Sequence, residues 1–211
     1  MAQSFSRRNF LKRTTAAGFS LALNPEFILD KHQANNPSKV SIGFIGVGKR
    51  GRSHLHLISG RDDISVPALC DINPKAISKA QKVLQSNGNG PAEAYSDGEY
   101  AYLNLLKRED VDGVLIATPW RWHSEMAVDS MKAGKYVGLE VPAATTLKGC
   151  WDLIDTHEET GTQLMFLENV CYDREVLAIM QMLRDRIFGT PVHATCGYKH
   201  DLRGVKFDGV E

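Results

Sequence analysis

Val40-Ser-Ile-Gly-Phe-Ile-Gly-Val-Gly-Lys-Arg-Gly51 is the stretch that decides the fold of this chain. A short β-branched and apolar run enters Gly46-x-Gly48-x-x-Gly51, and a helix-compatible segment follows at once. Glycines at that spacing allow a tight turn, a close backbone approach to a pyrophosphate, and close packing of helix on sheet. The helix start then offers unpaired N–H groups and a positive dipole end to phosphate. The glycine spacing alone is weak, but its context strengthens it. A second apolar run, Ile64 to Cys70, ends in Asp71, about 20–25 residues past the glycines, where a ribose-binding acid belongs. A carboxylate there accepts from the ribose 2′-OH and repels a 2′-phosphate, so NAD is favoured over NADP.

Outward from this unit, strand and helix signals alternate. The pattern predicts a helix over 51–59, a strand over 64–70, and a helix from Asn73-Pro74 to about Gln85. A further helix is expected over 98–107 with Tyr100, Leu103 and Leu106 on one face, then a buried parallel strand over 111–117. A helix over 123–133, a strand over 135–140, a helix over 147–160 capped by Thr146, and a strand over 162–167 complete the series. This order implies an α/β, Rossmann-like doubly wound parallel sheet across 38–167. From 168 to 211 the pattern changes to the start of an α+β substrate domain. It holds an amphipathic helix over 173–186, with Val176, Ile179, Met180 and Leu183 on one side, and an antiparallel-type strand over 192–198. One strand cannot make an independent sheet domain, so the second domain is expected to be incomplete.

Residues 1–37 read as a leader and linker. Ser6-Arg7-Arg8-Asn9-Phe10-Leu11-Lys12 matches the twin-arginine export consensus, and the apolar stretch Thr14–Leu23 behind it is too short to span a bilayer. Export by that machinery to the periplasm is expected, with no stable membrane anchor. The pathway carries folded proteins, which suits a cofactor acquired before export. The 25 acidic and 25 basic residues balance and form no basic stripe, which argues against nucleic acid. The four cysteines show no paired spacing, so neither a zinc site nor a disulfide framework follows. No pair among the histidines has metal-ligand spacing, and His54, His56, His157 and His193 read as structural or solvent-facing. Homo-oligomer formation stays open.

Five strings carry a resemblance to a known family: Gly46-Val-Gly-Lys-Arg-Gly51, Thr118-Pro-Trp-Arg-Trp-His123, Gly138-Leu-Glu-Val141, Glu168-Asn-Val-Cys-Tyr172 and Gly197-Tyr-Lys-His-Asp-Leu-Arg203. From about residue 38 to 211 the chain resembles the glucose–fructose oxidoreductase and inositol dehydrogenase superfamily, and within it glycoside hydrolase family 109. The resemblance implies NAD contacts from Gly46, Gly48, Lys49, Arg50, Gly51, Asp71, Trp120, Arg121, Trp122, His123, Glu140, Val141 and Asn169, and a sugar contact from Tyr198. Dehydrogenases of the superfamily commonly carry Glu-Lys-Pro where this chain has Glu140-Val141-Pro142. Valine cannot supply the lysine's proton or charge, which disfavours simple alcohol oxidation.

For the glycosidase branch the resemblance implies hydrolysis of terminal α-N-acetylgalactosamine through transient C3 oxidation, elimination, water addition and re-reduction. That scheme needs bases near C3 and C2 and an acid at the leaving oxygen. Tyr172 and Tyr198 are the candidates for proton transfer, and His200 for substrate contact. Both tyrosines fit equally as half-buried residues at a domain boundary, and His200 as a rim histidine. The family's catalytic tyrosine–histidine pair is expected beyond residue 211. Two other readings stay open: an exported sugar oxidoreductase, and an inactive NAD-binding remnant.

Overall fold

The structure is a computed structural model and describes residues 39–197 and 201. Strand β1 (Val40–Ile45) leads into helix α1 (Lys49–Ser59), then β2 (Ile64–Ser65), β3 (Ala68–Cys70) and α2 (Pro74–Ser86). Next come β4 (Glu93–Tyr95), α3 (Tyr102–Leu106), β5 (Gly113–Ile116), a 3₁₀ turn (Trp120–Trp122) and α4 (His123–Lys132). The series ends with β6 (Tyr136–Leu139), α5 (Leu147–Thr160), β7 (Leu164–Phe166) and α6 (Arg174–Arg184). The sheet runs β4-β3-β1-β5-β6-β7, with β2 also paired to β1, and every pairing is parallel. β1 lies between β3 and β5, so the order reverses there and a crevice opens at the carboxyl ends of those strands.

Alternation along the strands builds a core on each face of the sheet. Phe44, Leu69 and Leu115 point to one side, where Leu55 of α1 and Ile77, Ala80 and Leu84 of α2 cover them. Ile45, Ala68, Val114, Ile116 and Leu139 point to the other, under Tyr102 and Leu105 of α3, Met126 and Met131 of α4 and Leu153 of α5. The central strands are therefore continuous apolar runs, as a sheet covered on both faces requires. Asn73 caps α2 by accepting from the Lys75 N–H at 3.0 Å, with Pro74 in the first turn. Thr146 accepts from the Gly149 N–H at 3.0 Å to start α5, and Gly161 ends it at φ +68°.

Four expectations need correction. The 64–70 strand is broken between Ser65 and Ala68, where Pro67 has no N–H for a ladder. Strand β4 has no counterpart in the sequence reading. Its three residues are too short for a periodic signal, and it forms because Ala68–Cys70 offer a parallel edge. Helix α3 is half the length expected, and its buried residues are Tyr102, Leu105 and Leu106, while Tyr100 and Leu103 are exposed. The Tyr102 hydroxyl donates to Asp129 on α4 at 2.6 Å, which turns that stripe inward. Residues 191–197 form no strand, and no described residue offers them a partner. Helix α6 forms as expected, yet Ile179, Met180 and Leu183 on its apolar face are exposed.

Candidate dinucleotide site

The crevice between β1 and β5 opens into a cleft of about 570 Å³. Its floor is the glycine turn. Gly46 sits at φ +85°, and a Cβ there would lie 2.8 Å from the Ala117–Thr118 backbone. A Cβ on Gly51 would meet the Gly46 carbonyl oxygen at 2.0 Å, so α1 packs directly on the turn. Gly48 differs: a Cβ there meets nothing within 4 Å, because that side faces the open cleft. Gly48 is the N-cap of α1 and supplies no side-chain cap, so the first-turn N–H groups are left to an incoming acceptor. These features fit a dinucleotide, with its pyrophosphate on the helix start.

Asp71, at the end of β3, lines the cleft and is pinned from both sides. One carboxylate oxygen accepts from the Val47 N–H at 2.8 Å and the other from the Asn73 N–H at 2.9 Å. Each oxygen keeps a further lone pair for a ribose hydroxyl. Lys49, Arg50, Arg52, Lys75 and Lys79 add positive charge around the same cleft. Cys70 also lines it, but burial, then the charge of Asp71, pushes its thiol up to about 12, so it is no nucleophile. Along one lip, Arg121 donates to Glu99 at 3.0 Å and stacks 5.4 Å from the centre of the Trp122 ring. Tyr100 meets Trp122 edge-on at 5.6 Å.

Behind the turn lies a polar cluster. The buried Glu140, just past β6, accepts through one oxygen from Arg50 Nε at 2.6 Å and pairs through the same oxygen with His54 Nε2 at 2.5 Å. Its second oxygen accepts from the Val141 N–H at 3.0 Å. Burial pushes the Glu140 carboxyl up, but the hydrogen bonds from His54, Arg50 and Val141 outweigh it and hold it below the usual range. His123, at the start of α4, is fully buried. Its ring nitrogens lie 2.7 Å from the Pro142 carbonyl and 2.8 Å from that of Thr118, tying together the segments after β5 and β6.

Of the residues expected at the cofactor, Gly46, Gly48, Lys49, Arg50, Asp71, Arg121 and Trp122 line the cleft. Gly51, His123 and Glu140 are buried and Val141 partly buried, none of them lining the cleft, and Trp120 is exposed and does not line it either. Asn169 and Tyr172 are also exposed and do not line it. Tyr198 and His200 lie outside the described residues. No metal-binding cluster occurs among the described residues. The sequence reading missed the lysines of α2 and the link from His54 to Glu140. Both had a readable signal: Lys75 and Lys79 share a helix face just past Asp71, and Arg50 and His54 share one at the helix start that the glycine motif opens.

A parallel sheet with a glycine turn and a carboxylate at its carboxyl edge defines a dinucleotide-binding domain. Residues 40–167 match the family model described as "Oxidoreductase family, NAD-binding Rossmann fold", and the chain belongs to that family. Residues 172–211 match the glycosyl hydrolase 109 C-terminal domain. The chain is 40% identical to an alpha-N-acetylgalactosaminidase of Tannerella forsythia over 97% of its own length and 47% of that protein's. It is 45% identical to a glycosyl hydrolase family 109 protein of Stenotrophomonas maltophilia, over 81% of this chain and 38% of the relative. The chain thus spans less than half the length of these relatives. Among solved structures, myo-inositol dehydrogenase from Lactobacillus casei in complex with NAD(H) and myo-inositol is similar at TM-score 0.63 and 26% identity, over 72% of this chain and 43% of that one. The WlbA dehydrogenase from Bordetella pertussis shares the fold at TM-score 0.61 and 22% identity, over 72% of this chain and 43% of that one. NAD is the cofactor of the domain.

Proposed function

We propose that the chain carries the NAD-binding part of a glycosidase acting on terminal α-N-acetylgalactosamine. One observation carries the reading: a cleft built for a dinucleotide is followed, within the same chain, by a match to a glycosyl hydrolase domain. Val141, where the related dehydrogenases carry lysine, supports hydrolysis over net alcohol oxidation. NAD, when bound, supplies a reversible two-electron oxidation of a sugar hydroxyl. Gly46, Gly48, Lys49 and Arg50 hold the pyrophosphate, and Asp71 takes the adenosine ribose. Arg121 and Trp122 wall the cleft, with Trp120 and His123 completing that segment. Glu140, Val141 and Asn169 belong to the nicotinamide side. Tyr198 and His200 contact the sugar, and Tyr172 serves proton transfer.

The test is incubation of the chain with an aryl α-N-acetylgalactosaminide, with and without added NAD. Aglycone release with no net NADH is the result that supports the glycosidase reading. Steady NADH accumulation would make the protein a sugar oxidoreductase instead. Bound dinucleotide without turnover would leave this stretch as a cofactor-binding unit only.

We further propose that Ser6–Lys12 directs export of the folded protein by the twin-arginine route to the periplasm. The agreement of seven consecutive residues with the consensus supports this. Replacing Arg7 and Arg8 with lysine should leave a fused reporter in the cytoplasmic fraction, and unchanged export would refute the route.

A further inference from the structure

We propose that His54 is a positioning residue that holds the Arg50 guanidinium in an orientation open to the pyrophosphate of the dinucleotide. The inference rests on the reading of the cleft as an NAD site. Arg50 and His54 stand one turn apart on α1, so both side chains leave the same face. They converge on a single oxygen of Glu140, at 2.6 Å and 2.5 Å, while the other oxygen is engaged by the Val141 N–H. The Glu140 side chain is only 6% exposed, so its charge depends on these partners rather than on water.

The way Arg50 binds is the informative detail. A guanidinium facing a free carboxylate prefers the two-pronged arrangement that engages both oxygens. Here Arg50 reaches Glu140 through Nε alone, and none of its Nη bonds falls among the described residues. His54 fills the second lone pair of the oxygen Arg50 uses, and Val141 engages the other oxygen, so Glu140 is held by three donors while the Arg50 fork stays open. The Arg50 side chain is half-exposed and lines the cleft beside the uncapped start of α1, where a pyrophosphate belongs. Without His54, the shared oxygen loses one of its two donors, so neutralising the buried Glu140 charge falls to Arg50, which is expected to turn its terminal donors inward and withdraw them from the cleft.

The experiment is calorimetric titration of NAD into the unaltered chain, His54→Leu, His54→Gln, Arg50→Met and the His54→Leu/Arg50→Met double variant, with thermal unfolding of each. His54→Leu should bind NAD about tenfold more weakly, the scale of one charge-assisted contact, and the amide N–H of His54→Gln should restore most of the affinity. Because His54 acts through Arg50, His54→Leu should cost little further affinity once Arg50 is methionine. The proposal is overturned if His54→Leu binds like the unaltered chain, or if its full loss persists in the double variant. It is also overturned if both His54 variants lose affinity only in step with their thermal midpoints. Failure of the unaltered chain to take up NAD would instead overturn the cofactor reading and this proposal with it.

Discussion

Gly48 and Gly51 stand three residues apart in one turn, yet a methyl group would do different harm at each. At Gly51 it would press on the Gly46 carbonyl, so Gly51→Ala should destabilise the fold by on the order of 3 kcal/mol, read as a lowered thermal midpoint. Gly48 has φ −61° and open space beside it, so Gly48→Ala should fold normally. Its methyl would stand where the pyrophosphate must approach, so NAD affinity should fall by about tenfold or more in calorimetry. Equal stability losses at the two positions would contradict this geometry. Asp71→Ala should weaken NAD binding as well, and unchanged affinity would refute its ribose assignment. Glu140 adds a pH dependence. Its folded value lies below the unfolded one, so the stabilisation is present above about pH 4.3 and is lost as pH falls through the folded value. Glu140→Gln should flatten that limb of the acid-unfolding curve followed by circular dichroism.

At the scale of elements, what could be read early was whatever carried its signal locally. Asn73-Pro74 and Thr146 announced their helices, and the structure shows both side chains accepting from the helix starts. The buried strand over 111–117 was equally local. Elements that depend on a neighbour were not legible. β4 exists through the edge of β3, α3 is turned by the Tyr102–Asp129 bond, and residues 192–197 lack a described partner strand. In the candidate site, the turn and Asp71 followed from spacing and Arg50 from the family resemblance, whereas the bonds that bury Glu140 and His123 needed three-dimensional contacts. Thr146→Ala should cost about 1 kcal/mol of stability while leaving NAD affinity unchanged, because α5 contributes no residue to the cleft lining. A change in affinity would show that α5 and the cleft are coupled.

For the whole molecule, the cleft is assembled from four separate stretches: the β1–α1 turn, the end of β3 with the first half of α2, the Gly98–Glu99 turn, and the segment after β5 with Met126 of α4. A ligand that binds this folded arrangement stabilises it by mass action. NAD at a hundred times its dissociation constant should add about 2.7 kcal/mol, visible as a concentration-dependent rise in the thermal midpoint. No such rise would mean that the cleft does not take the dinucleotide.

Trp122 gives this chain an optical gauge of its own. Its indole lies on the cleft wall, braced between the Tyr100 ring edge and the Arg121 guanidinium, while Trp120 and Trp151 stand outside. Fluorescence from that one indole should therefore dim as a nucleotide seats beside it, reporting occupancy without any label.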